Sequence, residues 1–198
     1  MALGRVTVSV TDTVLKSTGP VQNEFTRPRI SVVIATYNRP ELARRLLVHP
    51  AAQTMVEVVV VDDGSRTALP EIAVPYRLTV LRQENQGASA ARHLGARMAS
   101  GDVVLFLDDD MEIPNVLLDE HVRLHDEGPR AVQYLKVGGF DVALGLSEDA
   151  ELGLRLEKDG ATFHVSESAH SVHHSDHASL GGWLKRKGPP RATKVAGV

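Results

Sequence analysis

The chain has 198 residues, 42% of them apolar and 24% charged, with a formal net charge of −3 and no cysteine. That length suits one domain with a real core, and the balance of charge argues against the basic patch or stripe of a nucleic-acid binder. Disulfides and thiolate chemistry are excluded, no apolar run approaches the roughly 20 residues of a membrane span, and Thr7, Ser9, Thr11, Asp12 and Thr13 break up any signal-peptide core, so a soluble cytoplasmic protein is expected.

Residues 1–28 read as an extension or linker. Val6, Val8 and Val10 alternate with polar residues as a short edge strand would, and Ser17–Arg29 is polar and broken by Pro20 and Pro28. Ile30–Ala35 (ISVVIA) is the first strand. After the Thr36–Arg39 loop, Pro40 opens a helix with Glu41 in its first turn and Leu42, Leu46 and Leu47 on one face. Val56–Val61 is a second buried strand, ending in Asp62-Asp63-Gly64-Ser65, and Arg77–Leu81 is a third. Asn85-Gln86-Gly87 leads into a helix over Ala88–Ser100, with Ala90, Ala91, Leu94 and Met98 on one face and Gly101 as its stop.

Val103–Leu107 is again an unbroken apolar run, too short for a helix and suited to a buried strand. It runs into Asp108, Asp109 and Asp110. A helix is expected after Pro114 through Leu124, with Val116, Leu117 and Leu124 apolar. Ala131–Leu135 leads to Gly138-Gly139-Phe140-Asp141. Ser147 is positioned to cap a helix running through Leu156 and stopped by Gly160, and Thr162–Val165 reads as a strand. His170, His173, His174 and His177 follow, and residues 185–198 form a basic tail expected to be disordered.

Strands that alternate with helices, each strand a near-continuous apolar run, predict an α/β fold with a mainly parallel sheet flanked by helices. Ligands of such sheets sit beyond the carboxyl ends of the strands. Three of those ends carry TYNR, DDGS and DDD. Three adjacent carboxylates repel one another and are not expected inside a core. At the end of a buried strand they make an open, hard-oxygen site suited to Mg²⁺ or Mn²⁺ carrying a diphosphate. A solvated acidic turn is the simpler account of the triplet alone, but three polar loops converging on one edge favour a ligand site.

RISVVIATYNRPE, VEVVVVDDGS, NQGASAARHLGA, GDVVLFLDDD, VGGFD and SEDAELGLRL occur in the order seen in the family 2 inverting glycosyltransferases of the GT-A fold, and the chain resembles these from Ile30 to His177. The resemblance implies a mixed, mainly parallel Rossmann-like sheet in a domain spanning 29–184. It also implies transfer of a hexosyl-type sugar from a UDP- or GDP-type donor to an acceptor hydroxyl, with Mn²⁺ or Mg²⁺ on the diphosphate. By the same resemblance Ala35, Tyr37 and Arg39 would line the nucleotide pocket, with Tyr37 near the base. Asp62 would take a hydrogen bond from the base, Asp63 would support the loop, and Arg92 would face the nucleotide or its phosphates. Asp108-Asp109-Asp110 matches the DxD motif, with Asp108 on the ribose and Asp110 on the metal. Asp149, beside Glu148, matches the catalytic base, and His174 or His173 would add a metal ligand. The motifs specify neither base, sugar, acceptor nor oligomeric state.

Those roles agree with the chemistry. An inverting transfer is one in-line displacement, needing a carboxylate to deprotonate the acceptor and a cation to stabilise the departing diphosphate. Without the resemblance, Asp149 reads as a helix N-terminal acid favoured by the dipole, and the histidines as a polar loop or a zinc site lacking the usual spacing. A receiver domain shares the paired aspartates, but Pro70 and Pro75 stand where its helix belongs. A sugar nucleotidyltransferase should carry a glycine-rich loop after the first strand, and TYNRPELARR has no glycine. Relatives usually have a longer stretch between the DxD strand and GGFD than Met111–Val137. A degenerate nucleotide-sugar-binding protein without transferase activity is therefore the alternative function.

Overall fold

Four apolar runs become four parallel strands in the computed structural model, which describes residues 30–48, 56–112, 114–127, 134–144, 147–163 and 172–173. These are β1 (Ile30–Thr36), β2 (Val56–Asp62), β3 (Arg77–Arg82) and β4 (Val103–Asp108), in the sheet order β3-β2-β1-β4. The chain steps outward from β1 to β3 and then crosses back to set β4 against the free side of β1. The β1–β4 seam is therefore where strand order reverses, the place at which such sheets open a crevice for ligands. Thr36 stands opposite Asp62 and Ala35 opposite Asp108, so TYNR, DDGS and DDD leave the sheet side by side at one edge.

Alternation along the strands divides the core between two faces. Ile30, Val32, Ile34, Val58, Val60, Leu78 and Leu107 pack with Ala43, Leu46 and Leu47 of α1 (Pro40–Val48) and with Leu117 and Leu118 of α3 (Leu117–Glu127). Val33, Val59, Val61 and Leu81 pack with Ala91 of α2 (Ala88–Met98) on the other face, bordered by Leu94, Val104 and Phe106. Fully burying one such valine or leucine is worth about 1.5–3 kcal/mol, so the two clusters supply the main driving force for the sheet. The amino-terminal edge is closed by a buried carboxylate. Glu57 accepts hydrogen bonds from Ser31 Oγ (2.6 Å), Ser100 N (2.7 Å) and Ser100 Oγ (2.9 Å).

Several expected details differ. β4 ends the described sheet, so Val103–Phe106 are half-buried rather than enclosed. On α2 the buried positions are Ser89, Ala91, Gly95 and Ala96, and Met98 is exposed. That helix ends at Met98 with Ala99 extended. Gly101 is required for a different reason, because a Cβ there would lie 2.7 Å from the Ser31 amide nitrogen. α3 starts one residue after Val116, which is exposed in the preceding turn, and Leu118 takes its place in the core. Ser147 precedes α4 (Glu148–Lys158) in the left-handed conformation, φ 62°, where its hydroxyl makes no cap. Thr162 and Phe163 lie outside any strand. A two-residue β5 (Met111–Glu112) pairs antiparallel with β6 (Val172–His173). The expected 1–28 extension, Ala131–Gln133, Phe163's continuation to Val165, the histidines 170, 174 and 177 and the 185–198 tail lie outside the described residues. Among the described residues no helix is long and apolar enough to cross a membrane.

Candidate active site

The first loop is tied to the second. Asp63 N donates to Thr36 O (2.9 Å), Asn38 N donates to Ser65 Oγ (2.8 Å), and Asn38 Oδ1 accepts from Arg66 N (2.8 Å). Asn38 reaches this geometry in the left-handed region, at φ 57°. These bonds leave Tyr37 standing out, 47% exposed, while Ala35 sits half-buried at the end of β1. An exposed aromatic beside the switch point is a surface on which a planar base can stack.

Both aspartates of the second loop turn inward. Asp62 accepts from Ser65 N (2.9 Å) on one oxygen and from Arg82 Nη1 (3.0 Å) on the other. Asp63 accepts four hydrogen bonds. Gln83 Nε2 (2.7 Å) and Gln86 N (2.9 Å) donate to one oxygen, and Gly87 N (2.8 Å) and Asn85 Nδ2 (3.2 Å) donate to the other. Asp63 thereby welds DDGS to the NQG turn ahead of α2. Gly64 allows the approach, since its φ is 80° and a Cβ would lie 2.9 Å from Asn85 N.

The third loop departs from the open, solvated site expected. Only Asp108 is half-exposed, while Asp109 and Asp110 are 1% and 3% exposed. Burial is tolerated because partners arrive from β1 and its loop. Thr36 Oγ1 donates to Asp109 Oδ2 (2.7 Å), and the Arg39 guanidinium lies 2.8 Å from Asp109 Oδ1 and 2.9 Å from Asp110 Oδ2. Desolvation still raises the Asp109 carboxyl above its ordinary range. Thr36 and Arg39 oppose the rise, and Asp110 and Asp108 add to it.

Arg92, on α2, bridges the third loop to α4. Its Nη2 donates to Asp108 Oδ1 (2.6 Å), its Nη1 donates to Glu148 Oε1 (3.1 Å), and its guanidinium lies 5.9 Å from the Phe140 ring centroid. Burial disfavours the charged form, but the hydrogen bond and charge of Asp108, then the charges of Asp149 and Glu148, outweigh it and raise the Arg92 pKa. Asp149 sits exposed in the first turn of α4. Partial desolvation raises its carboxyl, Arg92 lowers it, and Glu148 and Asp108 raise it further.

The family model described as glycosyl transferase family 2 matches residues 31–171, most of the chain. The chain belongs to glycosyl transferase family 2. It is 39% identical over 90 residues to EpsH of Bacillus subtilis, a protein with a glycosyltransferase name, a match covering 42% of this chain and 26% of that one. It is 35% identical over 106 residues to hyaluronan synthase of Pasteurella multocida, covering 49% of this chain and 11% of the synthase. The chain thus spans well under half the length of these relatives. A crystal structure of S. aureus TarS superposes with a TM-score of 0.58 over 72% of this chain and 36% of that one, at 19% identity, a likeness of fold. The parallel sheet flanked by helices is the GT-A arrangement.

Within this family 2 domain the late elements dock on the β4 side. Tyr134 and Phe140 pack on Phe106 with ring centroids 5.3 and 5.2 Å apart, and Tyr134 Oη lies 3.1 Å from His93 Nδ1. Arg155 of α4 donates to Val137 O and Gly139 O, both at 2.6 Å, which fastens the GGFD turn to α4. The sequence gives no sign of the parts taken by Arg82, Gln83, Tyr134 and Arg155. Each sits inside or beside a motif, but its partner lies far along the chain, so nothing local marks it.

The donor chemistry for a divalent ion is of the hard-oxygen type, from Asp108 and Asp110. Among the described residues no three His, Cys, Asp or Glu side chains group as a complete ligand set. A site of one or two carboxylates fits Mg²⁺ that keeps its other positions for substrate phosphates and water, so a diphosphate would complete the set. The His173 backbone pairs with Met111, one residue past Asp110, and His174 lies outside the described residues.

Proposed function

We propose that this domain transfers a sugar from a nucleoside-diphosphate donor to an acceptor hydroxyl with inversion, using a divalent ion on the diphosphate. The observation that carries the reading is the gathering of TYNR, DDGS and DDD at the strand-order reversal, with Asp149 of α4 joined to the same edge through Glu148 and Arg92. Within family 2, that edge is the natural seat for a nucleotide sugar. Tyr37 offers the face for the base, Asp62 would take a hydrogen bond from it, and Asp63 holds the loop that frames it. Asp108 is the half-exposed acid available to the ribose, and Asp110 with Asp108 would hold Mn²⁺ or Mg²⁺.

When bound, the ion would supply positive charge to the diphosphate as it leaves. The chain supplies the rest. Arg39 balances Asp109 and Asp110 before the donor arrives and is half-exposed, so it can turn towards phosphate oxygens. A single displacement needs its base on the face opposite the diphosphate. Asp108 and Asp110 serve the leaving-group side, so the base must come from elsewhere. Asp149, from a separate late helix and with its carboxyl pKa raised chiefly by partial desolvation, can remove the acceptor proton.

Calorimetric titration of UDP, GDP and their sugars, with and without Mn²⁺, tests the donor half and reports the base. Turnover of the sugar that binds, with the anomeric configuration of the product, tests the transfer. Equal affinity with and without metal removes the ion from the mechanism. Metal-dependent binding without transfer or hydrolysis leaves the binding-protein alternative.

A further inference from the structure

Arg92 was expected to face the nucleotide. In the structure its guanidinium is largely covered and paired with acids of the chain itself. The side chain is 13% exposed, and its two terminal nitrogens are used on two acids from two elements, Nη2 on Asp108 at the end of β4 and Nη1 on Glu148 at the start of α4. Two of its five N–H donors are committed to these acids, and the covered side chain leaves little of the rest open to a phosphate. The helix that carries Arg92 packs directly on the sheet, where the adjoining Ala91 is fully buried.

α4 needs such a tie. Leu152 is its buried residue, its first turn has no side-chain cap, and Arg155 fastens its second half to the GGFD turn rather than to the sheet. The described side-chain link from the first turn of α4 to the sheet edge is therefore Glu148–Arg92–Asp108, and Asp149 is the next residue along. The span requires a planar fork. A lysine ammonium carries its three donors on one nitrogen and lacks the two separate nitrogens that reach the two acids here.

We propose that Arg92 is a positioning residue. By bridging Asp108 and Glu148 it sets the first turn of α4, and with it Asp149, at a fixed distance from the donor-holding end of β4. This rests on the reading of Asp149 as the base, and it assigns Arg92 a part in the rate of the chemical step rather than in donor affinity.

The test compares wild type with R92K, R92M, R92M/E148Q and D149N, using the UDP- or GDP-sugar that wild type turns over and hydrogen–deuterium exchange of the whole chain. R92M should lower kcat by about 10²-fold, the scale of a 1 Å misplacement, and leave the donor KM within about threefold. R92K, which keeps the charge, should recover less than about a tenth of the lost rate, because the lost element is the two-acid span. Adding E148Q to R92M should cost nothing more, since the link is already broken. Amides of residues 148–152 should exchange faster in R92M while β1–β3 are unchanged, which also shows that the variant folds. A raised donor KM with kcat unchanged would make Arg92 a donor contact and overturn the proposal, as would unchanged exchange at the start of α4. Full transfer by D149N would instead remove the base, and the exchange result would then decide separately whether Arg92 holds the helix.

Discussion

Replacing Asp63 by asparagine should damage the fold of the site more than any other near-isosteric change at this edge. The carboxylate is 3% exposed and receives two donors on each oxygen, Gln83 Nε2 and Gln86 N on one, Gly87 N and Asn85 Nδ2 on the other. An amide of the same shape has one acceptor oxygen. Its NH₂ must confront one pair of donors, so two charge-assisted hydrogen bonds vanish and the remaining two become neutral ones. At about 1.5–3 kcal/mol for each bond to a charged group, the two lost bonds alone cost about 3–6 kcal/mol. If the NH₂ takes the second position, Asn85 can rotate its own amide and return about 1 kcal/mol, the net worth of one neutral bond. The expected loss is then about 2–5 kcal/mol, a large part of the usual 5–15 kcal/mol of a domain. At about 2–4 °C per kcal/mol for a chain of this size, Tm should fall by about 4–20 °C. Thermal and urea unfolding followed by circular dichroism measure it, and nucleotide titration below Tm reports the loop. A Tm within about 3 °C of wild type would refute the idea that Asp63 welds the DDGS and NQG loops.

Four further outcomes are expected. Asp110→Ala should abolish the gain in UDP or GDP affinity that Mn²⁺ confers while leaving the unfolding transition cooperative; an unchanged metal dependence by calorimetry would exclude Asp110 as a ligand. Arg39→Gln frees Asp110 from its guanidinium partner and should strengthen Mn²⁺ binding in the absence of nucleotide, read by electron paramagnetic resonance, and no change would mean that Arg39 does not compete with the ion. Asp149→Asn should keep donor affinity and lower transfer by about 10²–10⁴-fold, the range of a positioned general base, and a variant with full rate would lose that assignment. A base works as its carboxylate, so kcat should fall as pH drops through the raised pKa of Asp149. In R92M the limb should move to higher pH, because Arg92 is the group that lowers that pKa, and a limb moving to lower pH would contradict the electrostatics.

The sheet and its ligand edge were legible because they rest on local signals. ISVVIA and VEVVVV are runs that only buried strands accommodate, and a parallel sheet sends TYNR, DDGS and DDD out of one edge whatever the details of the loops. The GT-A assignment followed from motif order in the same way. Less legible were features fixed by tertiary context. Met98 and Val116 are apolar yet exposed, because the α2 face is set by how closely Ala91 and Gly95 lie on the sheet, and because α3 begins only at Leu117. Ser147 has the right side chain for a cap, but the chain enters α4 through a left-handed residue that turns the hydroxyl away from the helix amides. Glu57 was hidden within an apolar run, since the donors that make its burial tolerable come from Ser31 and Ser100.

The largest misreading was of the aspartate triplet, and its cause is physical. Adjacent carboxylates were expected to remain in water because their repulsion and desolvation penalise burial. That penalty is offset here by two guanidinium groups drawn from remote positions, Arg39 from the β1 loop on Asp109 and Asp110, and Arg92 from α2 on Asp108. Neither pairing leaves a local trace, because the partners are 16 to 71 residues apart. The consequence reaches beyond stability. If a cation binds Asp110 as proposed, it competes with the Arg39 guanidinium for that carboxylate. A diphosphate would assist that exchange, since it offers the guanidinium a new anionic partner. Metal and nucleotide should therefore bind cooperatively at Arg39. Arg92 differs: it is largely covered and held by two acids, so it stays with the protein and keeps α4 in register. The two arginines are alike in pairing with the DDD loop and opposite in what donor arrival asks of them.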